Sequence, residues 1–152
     1  MTGKQDSTAT RLTVLTNRED EWSLRMRMVH SAQRFLLLTT YYFGSDERSG
    51  RMVDALITAA RRGVRVVLVI DSFGQRLAQN LSNAFEPPKI LSRFRELEAA
   101  GGLVVRYSPT SPMHRWVGGG LHVKIQVSEA GAAIFGSSNI AYHSFSQWNE
   151  VS

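Results

Sequence analysis

Val64 to Ile70 reads VRVVLVI, and this run constrains the chain more than any other. Apolar residues fall at both odd and even positions, so neither face of a strand here is suited to water. Such a strand belongs inside a sheet, and its β-branched valines suit a pleated, packed surface. It ends in Asp71, and a helical pattern precedes it. From Arg51 to Arg62, Met52, Ala55, Leu56, Ala59 and Ala60 recur at helical spacing, and Gly63 closes the helix as a C′ residue.

The same alternation continues on both sides. Arg34 to Phe43 (RFLLLTTYYF) reads as another buried strand and Leu103 to Tyr107 as a third. Pro87-Pro88 precede a helix over Lys89 to Ala100, which Gly101-Gly102 stop. Asn17 is placed to cap a helix reaching about Gln33, with Glu19, Asp20 and Glu21 at the positive end of its dipole. Its apolar face is read from Trp22, Leu24, Met26 and Val29. Arg11 to Thr16 alternates like a short strand, GSDERSG reads as a turn, and Ser72 to Asn83 reads as a loop around Gly74. Ser108 to Gly120 is a loop. Leu121 to Val127 and Ala132 to Phe135 form a hairpin turned at Ser128 to Gly131. Strand–helix–strand–helix–strand followed by a hairpin predicts an α/β domain, a mixed sheet flanked by helices on both faces.

The 152 residues suit one domain, with 1–10 read as a flexible polar tail and 11–152 as the folded unit. The tail has no apolar stretch of the signal-peptide kind. No apolar run is long enough to span a bilayer, so a cytoplasmic chain is expected, with any membrane contact peripheral. Zero cysteines exclude disulfides, thiolate metal sites and a cysteine nucleophile. A net charge of +5, carried mostly by arginine, favours anionic partners, whether nucleic acid or acidic lipid.

In the hairpin, His122 and Lys124 are two residues apart and so share a strand face, with Leu121, Val123, Ile125 and Val127 on the opposite, buried one. Lys124 offers a point charge for a phosphate oxygen, and His122 a nucleophile or proton donor. The partner strand ends at Gly136, Ser137, Ser138 and Asn139, small residues that let donors approach an anion. A hairpin brings that turn back beside His122.

This stretch resembles the phospholipase D superfamily signature, HxK, four residues, Asp, six residues, GSxN. His122, Lys124, Glu129, Gly136, Ser137 and Asn139 stand in those places, with Glu129 where the family has Asp. Upstream, Tyr42, Phe43, Asp46, the Ala60 to Val64 run and Asp71 resemble the N-terminal half of a bacterial cardiolipin synthase catalytic domain. The resemblance implies a phosphatidyltransferase or phospholipase D-type phosphodiesterase working through a phosphohistidine, without metal or other cofactor. It implies His122 and Lys124 as catalytic residues, and Glu150 as the carboxylate that orients the imidazole. Lys124, Ser137 and Asn139 would bind the phosphate; Glu129, Gly136 and Ser138 would be structural. Tyr42, Asp71, His114 and His143 are further pocket candidates, though core, cap or surface roles suit them equally. The substrate would be an anionic phospholipid at the inner membrane, with nucleic acid as the alternative.

The superfamily's site takes two HxK motifs, and this sequence has one. The second is expected either from a following half of the same chain, the 152 residues then being the N-terminal part, or from a homodimer partner. A half-domain that only binds phosphate is the non-enzymatic alternative.

Overall fold

The computed structural model describes residues 11–81, 89–111, 113, 120–146 and 152. The elements run α1 (Arg18–Ser31), β1 (Phe35–Thr40), α2 (Glu47–Arg61), β2 (Arg65–Asp71), α3 (Ser72–Leu81), α4 (Lys89–Ala99), β3 (Leu103–Tyr107), β4 (Lys124–Ser128), β5 (Ala133–Gly136) and a short α5 (Tyr142–Ser146). The five strands form one mixed sheet in the order β3-β2-β1-β4-β5. β1 pairs parallel with β2, and β2 with β3; β4 lies antiparallel to both β1 and β5. The expected α/β architecture is the one observed.

The main core lies on one face of this sheet. Leu36, Leu38, Val66, Leu68, Ile70 and Val104 pack there against Trp22 and Val29 of α1, Met52, Leu56 and Ala59 of α2, and Phe94 and Leu97 of α4. On the opposite face Leu37, Val67, Val69, Ile125 and Val127 are half-buried, while Leu103, Val105 and Phe135 are exposed. β4 inverts the expected polarity. Its polar residues Lys124, Gln126 and Ser128 are buried, and its apolar Ile125 and Val127 are the half-exposed ones. The cause is α1, which crosses β4 with a polar flank: Gln126 Nε2 donates to the Arg25 carbonyl at 2.8 Å.

Several boundaries differ from expectation. Arg11 to Thr16 carries no assigned strand; Leu12 and Val14 are exposed, and among the described residues its backbone pairs through Leu15 with Ser152, at 2.7 and 3.4 Å. The GSDERSG stretch is not a simple turn. Asp46 caps Ser49 N at 3.0 Å and starts α2 four residues before Arg51. Ser72 to Leu81 is helix, not loop. Asp71 supplies its cap, with Oδ1 accepting from Phe73 N at 2.9 Å and Gly74 N at 2.8 Å. Gly74 marks close approach rather than a loop, since a Cβ there would meet the Tyr41 carbonyl oxygen at 2.4 Å. The Asn17 cap and the left-handed Gly63 (φ +89°) are as read. No helix among the described residues is long and apolar enough to cross a membrane.

Candidate functional site

The site is assembled where the C-terminal end of β1 meets the start of β4 and the end of β5. His122 lies just ahead of β4 rather than within it. His122 is exposed and Lys124 is buried. Two contacts shape that entry. Asp71 Oδ2 accepts from Leu121 N at 2.8 Å, fixing the chain one residue before His122. Thr39 Oγ1 donates to the Val123 carbonyl and accepts from Ile125 N, both at 2.9 Å, so a hydroxyl stands in for main-chain pairing on either side of Lys124.

The lysine nevertheless reaches the imidazole. Lys124 Nζ lies 2.9 Å and 3.0 Å from the two ring nitrogens of His122 and donates to the His122 carbonyl at 3.1 Å. Tyr41 covers both: its ring is edge-on to His122 with centroids 4.8 Å apart, and Nζ stands 5.6 Å from its centre. Desolvation, reinforced by Asp71, pushes the Tyr41 hydroxyl upward, so the ring is neutral where it meets the cation. Tyr41 falls in the run read from the sequence as a buried strand; its aromatic contacts with His122 depend on tertiary placement that strand periodicity does not reveal.

The residues flanking Tyr41 hold Asn139. Its Oδ1 accepts from Thr40 Oγ1 at 3.3 Å and from Tyr42 N at 3.4 Å, and its main-chain N donates to Ser144 Oγ at 3.1 Å. The last residue of β1 and the two that follow it therefore line the site, the middle one against the His–Lys pair and the outer two against the Gly-Ser-Ser-Asn turn. Ser137 is exposed at this turn, while Ser138 points away from the site into α1, where its Oγ donates to Glu21 Oε2 at 2.8 Å. His143 is exposed on α5 beside Tyr142, with ring centroids 6.0 Å apart. Glu150 and His114 lie outside the described residues.

Glu129 sits at the far end of β4 and touches none of these groups. Its carboxylate accepts from Gln33 N at 2.5 Å and from Arg34 N and Phe35 N, both at 3.2 Å, tying the hairpin to the entry of β1. These backbone donors, Gln33 foremost, hold its pKa down at about 2. A depressed carboxylate adds stability that is present above its unfolded pKa of about 4.5 and is lost as pH falls toward 2. Glu129→Gln is therefore expected to lower the melting temperature at pH 7. The gap to the parent protein should close across pH 4.5 to 2, as followed by circular dichroism melts; a gap constant down to pH 2 would contradict the assignment.

A second cleft of polar character lies between α1, α2 and α5, lined by Glu19, Trp22, Arg48, Arg51 and Tyr142. One of its two arginines is already engaged, since Arg48 pairs with Glu19 and stands 5.6 Å over the Trp22 ring.

Comparison with known proteins agrees with this geometry. Residues 26–152 match the family model described as cardiolipin synthase, PLD-like domain. Over 136 residues the chain is 30% identical to a cardiolipin synthase of Geobacillus kaustophilus, covering 88% of this chain and 25% of that protein. Over 142 residues it is 28% identical to cardiolipin synthase B of Escherichia coli, covering 91% of this chain and 32% of that one. The chain thus spans about a quarter to a third of the length of these relatives. The fold is also that of a phospholipase D family member, Nuc, from Salmonella typhimurium, with a TM-score of 0.63, 20% identity and coverage of 91% of this chain and 79% of that one. NucT from Helicobacter pylori matches with a TM-score of 0.65, 14% identity and coverage of 91% and 80%. Mixed sheet, motif order and family match together lead to one conclusion: the chain belongs to the cardiolipin synthase family of phospholipase D-like domains.

Proposed function

We propose that this domain supplies one half of a phospholipase D-type site that transfers or hydrolyses the phosphodiester of an anionic phospholipid. The observation that carries the reading is the Thr40 to Tyr42 stretch at the exit of β1. Tyr41 packs on His122 and Lys124 while Thr40 and Tyr42 hold Asn139, so both parts of the motif are gathered at one edge. In this reading a His122 ring nitrogen attacks phosphorus, or delivers a proton to the leaving oxygen. Lys124, Ser137 and Asn139 balance the charge on the non-bridging oxygens. Glu150 orients the imidazole as the acid of a triad does. In-line displacement needs a nucleophile and a proton donor on opposite sides of phosphorus. A second His–Lys pair therefore comes from another part of the polypeptide or from a second copy.

The test is to incubate the intact protein with phosphatidylglycerol vesicles and, separately, with plasmid DNA, each with and without EDTA. Glycerol release from the vesicles, unchanged by EDTA, is the expected result. A strict requirement for an added divalent ion would overturn the metal-free mechanism. DNA cleavage alone would favour the second reading, a phosphodiesterase on nucleic acid. A net charge of +5, carried mostly by arginine, is compatible with that polyanion as well.

A further inference from the structure

Beneath the Gly-Ser-Ser-Asn turn, α1 carries a buried ion cluster that the phosphodiester chemistry does not itself use. Glu21 and Arg25 are both 0% exposed. Glu21 Oε1 accepts from Arg25 Nε at 2.8 Å, and Oε2 is paired with Arg18. The same Oε2 accepts from Ser138 Oγ at 2.8 Å, and that hydroxyl in turn accepts from Arg18 Nη1 at 3.0 Å. Arg18 Nη2 also donates to the Leu15 carbonyl at 2.5 Å, and Gln126 Nε2 to the Arg25 carbonyl at 2.8 Å. Desolvation holds the Arg25 pKa below its ordinary value, and its Nη1 has no hydrogen-bond partner among the described residues.

Burying a guanidinium group and a carboxylate, with a second guanidinium half-buried beside them, is a poor way to obtain stability. Apolar side chains of like volume commonly do as well or better, because charges leave water at a cost of several kcal/mol each. What the cluster supplies is direction. Ser138 donates to one member and accepts from another, so its hydroxyl has one orientation. The turn is thereby gripped from two sides. Thr40, Tyr42 and Ser144 hold Asn139, while Glu21 and Arg18 hold Ser138. Ser138 is flanked by Ser137 and Asn139, the two residues assigned to the substrate phosphate.

We propose that Glu21 is a positioning residue, which acts through Ser138 to fix the turn at the height where Ser137 and Asn139 meet a phosphodiester. This rests on the proposed function above and deepens it: the phosphate-binding turn is set from α1, on the far side from the substrate. Released from Glu21, the turn keeps its chain path but loses alignment, so substrate binding suffers more than the chemical step.

The experiment measures kcat and KM of the intact protein on bis(p-nitrophenyl) phosphate for Ser138→Ala, Ser138→Thr, Glu21→Gln and the double variant Glu21→Gln/Ser138→Ala. Ser138→Ala leaves both ion pairs in place, so it tests the idea even where Glu21→Gln fails to fold. Its KM is expected to rise about tenfold with kcat falling less than about threefold. Ser138→Thr, which keeps the hydroxyl, is expected to recover most of that loss. The double variant should be no worse in kcat/KM than the poorer single one, because both act on one interaction. Parent-like kinetics in Ser138→Ala, or losses that multiply in the double variant, would overturn the proposal. A His122→Ala control separates the two layers. If it is inactive while Ser138→Ala is unaffected, only the positioning role fails. If it turns over normally, the phosphodiester reading itself fails.

Discussion

His122→Ala in the intact protein is expected to reduce phosphodiester turnover by at least about 10³-fold while leaving the fold unchanged. The magnitude follows from the role. Whether the imidazole forms the covalent intermediate or protonates the leaving oxygen, its removal deletes a step that water performs poorly. The fold should persist because His122 is exposed and lies ahead of β4, outside the sheet ladder. Among the described residues its ring meets Tyr41 and Lys124, themselves members of the site. Turnover by vesicle assay and far-ultraviolet circular dichroism on the same preparation check both halves of the statement. Retained turnover would remove this end of the sheet from the chemistry.

Asp71→Ala is expected to produce the largest loss of stability among the site's neighbours, and to lower activity as well. The carboxylate is 0% exposed and accepts three main-chain N–H bonds, from Phe73, Gly74 and Leu121, at 2.8 to 2.9 Å. Alanine leaves those donors without their acceptor and removes the cap of α3. Together this costs on the order of 3 kcal/mol. For a domain of this size that is roughly a 10 °C fall in melting temperature. The Leu121 bond also links the change to His122, one residue on. Asp71→Asn keeps one acceptor oxygen and should recover part of the melting temperature. A melting temperature within about 2 °C of the parent for Asp71→Ala would contradict the assigned role.

What could be read from the sequence was whatever depends on local periodicity and on motif spacing. VRVVLVI, LVVRY, the Asn17 cap and the Gly63 stop all declare themselves within a few residues. The order of His122, Lys124, Gly136, Ser137 and Asn139 pointed to the family that residues 26–152 match. What could not be read depends on partners distant in the chain. Gly74 looks like a loop marker until Tyr41 is seen pressed against it. Glu21 and Arg25, four apart on a helix, have the spacing of a solvent-exposed pair. Burial arises only because α1 crosses β4 and the turn at Ser138 closes over it. The polarity of β4 was inverted for the same reason. Alternation shows that two faces differ, not which of them a helix with a polar flank will cover.

The assignment of a phosphate to the end of β1 is tested most directly by titrating the isotope-labelled protein with dimethyl phosphate, followed by nuclear magnetic resonance. The imidazole of His122 and the side-chain amide of Asn139 should shift together along one saturating curve. Lys124→Met should abolish both shifts, because it removes the cation proposed to bind the phosphate beside the imidazole. Shifts centred instead on Trp22 and Tyr142, in the arginine-lined cleft between α1 and α2, or no shift at either His122 or Asn139, would contradict the account.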